Sequence, residues 1–333
     1  LNNLGNAYRD RIQGDRAENI EQAIQYYNLA LKVRTKEAFP EQWAGIQSNL
    51  GYALSDRIRG DRADNIEQAI QHYCLALGVY RLEDFPEQWA GTKNNLGNAY
   101  RDRICGNRAE NIEQAIQYYN TALKVRTFEA FPVDWAMTQN NLGNAYRDRI
   151  CGDRTENIEL AIRHFGLALM IFKFEHLPEK WAMTQNNLAA AYNDRIRDDR
   201  AENIEQAIQH YGLSLKIFKQ DDFPEQWAGT QSNLAAAYND RFRGDRADNI
   251  EQAIQYCSLA LKVYKQDDFP EQWAMTQNNL GNCYGDRIRG DRAENIEQAI
   301  THYDLALKVR TAEDYPEKWA GTQNNLGNAY RNR

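Results

Sequence analysis

The chain has 333 residues, a net charge of −7 and five cysteines. Its apolar runs are only a few residues long, which excludes a membrane-spanning helix, and its acidic balance argues against general nucleic-acid binding. The cysteines (Cys74, Cys105, Cys151, Cys257 and Cys283) are odd in number, and only Cys105 and Cys151 share a repeat position. Free thiols in a reducing, cytoplasmic compartment are therefore expected, not a disulfide framework.

The stretch NNLGNAYRDRI at 94–104 recurs every 46 residues, its leucine falling at Leu4, Leu50, Leu96, Leu142, Leu188, Leu234, Leu280 and Leu326. A fixed period of this length predicts a solenoid, because one repeat cannot bury its apolar face without a neighbour. In chain order, a partial repeat at 1–38 precedes six whole ones at 39–84, 85–130, 131–176, 177–222, 223–268 and 269–314. A partial repeat at 315–333 follows. The expectation is a single array over 1–333. The chain begins and ends inside the repeated motif, as a segment cut from a longer protein would.

Residues 85–130 stand for every repeat. Pro86 suits the first position of a helix, where its missing N–H costs nothing, and Glu87 suits the positive end of the helix dipole. Trp89, Leu96, Gly97 and Tyr100 gather on one stripe at 100° per residue, predicting helix A over roughly 86–104. Gly106 can adopt the left-handed conformation that stops it. Asn111 and Gln114 read as a capping box. Ile112, Ala115, Ile116, Tyr119, Ala122 and Leu123 then follow helical spacing and predict helix B over roughly 112–128. Gly97 and Ala122 mark close helix–helix approach, and the tryptophan found once per repeat (Trp43, Trp89, Trp135, Trp181, Trp227, Trp273, Trp319) is expected in the core. The predicted fold is all-α, an α-solenoid of antiparallel helix-turn-helix repeats.

Leu96-Gly97-Asn98-Ala99-Tyr100, then Ala115, Tyr119 and Ala122, then Pro132 before the next helix, resemble the tetratricopeptide repeat. The likeness extends over the whole chain. The period departs from that family's 34 residues, and the usual helix A tryptophan position holds Lys93. The expanded form is similar to the long repeats of kinesin light chain and MalT-like proteins and of cyanobacterial multidomain proteins. Such arrays often accompany effector domains in signalling or conflict systems. The resemblance implies a superhelical array whose A helices line a concave face that binds a protein or peptide segment.

On the stripe opposite the tryptophan lie Gly91, Asn94, Asn98 and Arg101, with Asn95 at its border. The residue before the leucine is always asparagine (Asn49, Asn95, Asn141, Asn187, Asn233 and Asn279 among them). Asparagine carries a donor and an acceptor on one side chain and can bond an extended backbone whatever its sequence. The resemblance puts that role on Asn95, Asn98, Asn141 and Asn144. Tying neighbouring helices together is the other role open to the constant asparagine. The remaining candidates on this face are Asn140, Arg147, Asn186, Asn193, Asn239, Asn278 and Asn282. Positions that vary between repeats would set specificity, including a Gly/Met alternation (Gly91, Met137, Met183, Gly229, Met275, Gly321) in which methionine supplies an adaptable contact.

Asp102, Arg103 and Arg108 recur at one edge and predict a charge ladder between repeats, with an anion site as the alternative. Asp221, Asp222, Glu225, Asp267, Asp268 and Glu271 make the opposite edge acidic. Four of the five histidines (His72, His164, His210, His302) share one helix B position, and His176 stands in a loop. No catalytic or metal-ligand motif is present, so neither enzyme activity nor a metal or other cofactor is expected. The expected function is a protein- or peptide-binding scaffold, the sensor or targeting region of a larger protein. The alternatives are a self-assembling spacer, associating through terminal repeats, and an anion-regulated scaffold.

Overall fold

The structure, a computed structural model, describes residues 1–11 and 13–333. Among the described residues there are fifteen α-helices and no strand, so the fold is all-α, an α-solenoid of helical hairpins. It divides into two compact units, Leu1–Ile171 and Phe172–Arg333. The first holds α1 (Asn2–Arg9), α2 (Arg16–Leu31), α3 (Pro40–Ser55), α4 (Arg62–Leu77), α5 (Pro86–Asp102), α6 (Arg108–Ala122), α7 (Pro132–Asp148) and α8 (Arg154–Ala168). The second holds α9 (Pro178–Asp194), α10 (Arg200–Ser214), α11 (Pro224–Asn239), α12 (Arg246–Ala260), α13 (Pro270–Asp286), α14 (Arg292–Leu307) and α15 (Pro316–Asn332). Odd-numbered helices are A helices and even-numbered ones B helices. Within each unit an A helix packs on its own B helix, on the B helix before it, and on the next A helix.

Helix A starts where proline predicts it, at Pro86 and its equivalents. Helix B does not start where Asn111 suggested. It begins four residues earlier at Arg108, capped by Asn107, whose side chain accepts from the Ala109 and Glu110 amides. Asp61, Asp153, Asp245 and Asp291 do the same for the residue three further on, an acidic one each time. The capping pattern is thus N-x-x-E, D-x-x-E or D-x-x-D, worth about 1 kcal/mol per helix. Asn111 is buried at 3 % exposure. Its amide donates to the Cys105 carbonyl at 2.9 Å, closing the turn between the helices. Gly106 has the expected positive φ (+81°), but helix A has already ended at Asp102, so the glycine serves that turn and not the helix stop. Helix B also ends earlier than its apolar spacing implies. At Lys124 and Val125 the backbone tightens into bonds to the carbonyl three residues back, and the chain leaves the helix.

The apolar spine is as the spacing predicts. In the first unit Leu50, Leu96, Ile66, Ala69, Tyr73 and their neighbours form one cluster, joined through Tyr100 to a second of Ile112, Ala115, Tyr119 and Leu142. In the second unit Tyr238 and Tyr256 join the cluster around Tyr211 and Leu234 to the one around Cys257 and Leu280. At Gly97 the close neighbour is the ring of Tyr119. A Cβ there would lie 2.6 Å from Cε1. The tryptophans do not join this core. All seven are half-buried, and Trp43 and Trp89 flank a satellite cluster of Ala44, Ala76 and Tyr80.

The edge arginines are held by the chain itself. Arg103 forms a bidentate pair with Glu67 of the preceding B helix (2.6 and 2.9 Å) and lies over the Tyr100 ring. Arg57–Glu21, Arg149–Glu113, Arg241–Glu205 and Arg287–Glu251 repeat the pair. Its acidic partner is a glutamate 36 residues earlier. The adjacent aspartate serves Arg16, Arg200 and Arg246, which pair with Asp56, Asp240 and Asp286. The charge ladder expected at this edge is therefore present, built from two interleaved rows.

The four helix B histidines form a matching internal row. Nδ1 of His72, His164, His210 and His302 donates to Oε1 of Gln47, Gln139, Gln185 and Gln277 at 2.5–2.7 Å. His164, His210 and His302 stack on Tyr146, Tyr192 and Tyr284. Burial lowers the pKa of all four, that of His164 to about 4. Because the folded value is depressed, the unfolded chain binds more protons below the ordinary histidine pKa. The stability is complete above that value and is lost as pH falls through the window toward the folded one. The thermal midpoint should therefore drop between pH 7 and 5. Replacing all four with tyrosine, the residue resident at Tyr26, Tyr118 and Tyr256, should flatten that drop. Circular dichroism melts across pH check this, and parallel profiles for the two proteins would assign the drop to other groups.

Candidate protein-binding face

The A-helix asparagines fall into rows with different employment. Two residues before the leucine, Asn94 and Asn140 are buried at 3 % exposure. Asn94 Oδ1 accepts from Thr138 Oγ1 at 3.2 Å and from Asn141 Nδ2 at 3.1 Å, both on the next A helix. Asn186 accepts from Thr230 in the same way, and Asn278 from Asn325. The constant asparagine is the donor in this seam: Asn49 to Asn2, Asn141 to Asn94, Asn325 to Asn278. Asn95 accepts from Asn94 at 3.5 Å, and Asn187, Asn233 and Asn279 stand half-buried at the same register. The structure places these two rows between helices, and Asn94 and Asn140 present no surface to a partner.

Two residues after the leucine the amide meets helix B. The buried hydroxyls of Tyr119 and Tyr303 donate to Oδ1 of Asn98 (2.7 Å) and Asn282 (2.8 Å). In the repeat of Asn144 the corresponding ring is Phe165, which has no hydroxyl. All three asparagines are half-buried. Five after the leucine the row diverges. Arg101 bonds Asp102 of its own helix at 3.0 Å, and Arg147 sits 3.9 Å from Asp148. Asn193 and Asn239 replace the arginine, and the buried Oδ1 of each has no hydrogen-bond partner among the described residues. Asn239 Nδ2 donates to Asp286 Oδ2 at 3.1 Å. Met183 is exposed on this face. Gly229 is where the Tyr264 hydroxyl crosses, 3.0 Å from a would-be Cβ, so packing against the end of the hairpin accounts for glycine there.

In the second unit, three successive A helices bring part of this face together. A concavity of about 350 Å³ is lined by Asn239 from α11, Asn282, Gly285 and Asp286 from α13, and Asn325, Asn328 and Asn332 from α15, with Tyr303 and Arg292 from α14. Asn239 and Asn282 were candidates from sequence. Asp286 and Tyr303 were not, while Gly285 belongs to the variable row expected to set specificity, which carries arginine, serine or asparagine in the other repeats.

The tetratricopeptide-repeat family profile matches residues 1–34 and 181–210. The Sel1-repeat profile matches 47–77, 93–124, 136–170, 230–262 and 274–308. The two profiles together with the helical hairpins mark it as a repeat protein of the tetratricopeptide type. Its 46-residue period fits the fifteen helices as seven hairpins and one further A helix. Curated protein sequences gave no match to this tetratricopeptide array. Among solved structures it is similar to the Cut9–Hcn1 hetero-tetramer of the APC/C (TM-score 0.62, 16 % identity, covering 97 % of this chain and 50 % of that one). It is also similar to apo RapI (TM-score 0.54, 17 % identity, 94 % and 79 %). A third likeness is to BtubC from P. vanneervenii (TM-score 0.51, 20 % identity, 76 % and 91 %). At these identities the likeness is one of fold, and the chain spans half the length of the first. No helix among the described residues is long and apolar enough to cross a membrane.

Proposed function

We propose that this array is a non-catalytic scaffold that binds an extended segment of a partner protein along its A helices, as the sensor or targeting region of a larger cytoplasmic protein. The reading is supported above all by the concavity in the second unit, where amides from three successive A helices converge on one polar space. Amides that offer donor and acceptor together suit a polypeptide backbone, and the half-buried setting shields such bonds from water. The free state of all five cysteines suits a reducing compartment.

The test is to pan a displayed random-peptide library against the chain and titrate the selected peptides calorimetrically. Micromolar binders are expected. Asn328 lines the concavity, so Asn328→Trp should obstruct it and weaken those peptides at least about tenfold. A library that yields no binder, or binders indifferent to Asn328→Trp, would reject this site.

A further inference from the structure

From Gly285 we infer that the concavity of the second unit is a pocket for the guanidinium of an arginine side chain carried by the bound segment. This rests on the peptide-binding reading above and names the residue the segment must carry there.

The chain itself shows what belongs in the space. The lining of the pocket reproduces the surroundings of Arg101 almost residue for residue. Asn282, Tyr303, Asp286, Arg292 and Asn328 stand one for one where Asn98, Tyr119, Asp102, Arg108 and Asn144 stand in the repeat of Arg101. In both places the tyrosine donates to the asparagine, and the second arginine donates through Nη1 to the backbone carbonyl of the row position, Arg101 or Gly285. Arg101 fills its repeat with a guanidinium bonded through Nε and Nη2 to Asp102. Arg9 does the same with Asp10 and crosses the Tyr52 ring of the next repeat. Gly285 has no side chain, and the space above Tyr303 stays open, a Cβ there meeting only the tyrosine hydroxyl at 3.8 Å.

The acceptor left behind suits a cation. Asp286 meets Arg246 and Asn239 through Oδ2 alone, at 3.3 and 3.1 Å. In the Arg101 repeat a single oxygen of the equivalent Asp102 takes both Nε and Nη2 of the arginine. A carboxylate oxygen so placed matches the fork of a guanidinium better than a compact ammonium. The positive charge of Arg292 does not oppose this, because Arg108 stands in the same place beside Arg101.

The probe is N-acetyl-arginine amide, with N-acetyl-citrulline amide as its uncharged near-isostere, titrated against the whole chain while side-chain amide resonances of the asparagines are followed by NMR. Saturable shifts at Asn239, Asn282 and Asn328 are expected with the arginine probe, and binding at least about tenfold weaker with citrulline. Gly285→Arg should abolish the shifts while leaving the thermal midpoint unchanged or raised, since the chain carries arginine in the same setting at Arg101. Asp286→Asn should weaken the arginine probe about tenfold. Equal shifts with citrulline, no shifts at these asparagines, or shifts that survive Gly285→Arg would overturn the assignment. Peptides that bind the face without arginine would leave the scaffold reading standing and remove only this pocket's preference.

Discussion

Gly97→Ala is expected to destabilise the array by about 1–3 kcal/mol, the range for forcing a methyl group into a packed interface. The added Cβ would fall 2.6, 2.8 and 3.0 Å from Cε1, Cδ1 and Cζ of Tyr119. That ring is fully buried, and its hydroxyl is tied to Asn98 at 2.7 Å. It therefore has no room to retreat and a bond to lose if it does. The chain contains its own controls. Two repeats carry alanine in place of the glycine, at Ala189 and Ala235, and each also carries alanine in place of the asparagine, at Ala190 and Ala236. In the first of these the helix B ring is Tyr211 and the asparagine acceptor is absent, and in the second the ring itself is replaced by Cys257. Asn98→Ala should accordingly recover part of the loss when combined with Gly97→Ala. Because repeat arrays need not unfold in one step, hydrogen exchange of α5 and α6 amides is the better measure, alongside urea midpoints. A double mutant whose cost is simply the sum of the two single costs, within about 0.5 kcal/mol, would show that the Tyr119–Asn98 bond does not hold the ring in place.

Asn111→Leu should cost about 1–3 kcal/mol, the penalty for stripping a polar partner from a buried group. Leucine keeps the branched outline of asparagine but is bulkier, and Asn111 is almost fully buried, so crowding would add to the loss of its bonds. Its amide donates to the Cys105 carbonyl at 2.9 Å, and its Oδ1 accepts from Arg103 Nη1 at 3.5 Å. The leucine would release the turn at Gly106. It would also loosen the guanidinium that joins this repeat to Glu67 of the one before. Asn107→Ala is the contrast. It removes the helix cap, worth about 1 kcal/mol, and leaves the turn and the ladder intact. Urea denaturation of the two variants should rank Asn111→Leu as the more damaging. The reverse ranking would return the capping role to Asn111.

Much of the architecture was legible along the chain, and the reason is visible in particular residues. Leu96, Tyr100, Ile112, Ala115, Tyr119 and Ala122 occupy the core because their spacing puts them on one face of whichever helix they belong to. Pro86 and Gly106 act through their own backbone dihedrals. None of these assignments needs a distant partner. The asparagines were different. Asn94, Asn98, Asn107 and Asn111 carry the same side chain within eighteen positions, and nothing local separates a seam bond, a tyrosine acceptor, a helix cap and a turn clasp. Trp89 was similarly ambiguous, since a stripe says which side of a helix a ring lies on, not how far the neighbouring helix covers it.

The period of 46, the hairpin in each repeat, the apolar spine and the proline and glycine punctuation were determined by sequence alone, because hydrophobic burial is non-directional and follows spacing within one element. Which amides are consumed between helices and which meet at the pocket under Gly285 was decided only by tertiary structure. Those bonds are directional and short-ranged, and they join residues 21, 36, 40 or 47 positions apart, so their partners exist only once separate helices are packed together.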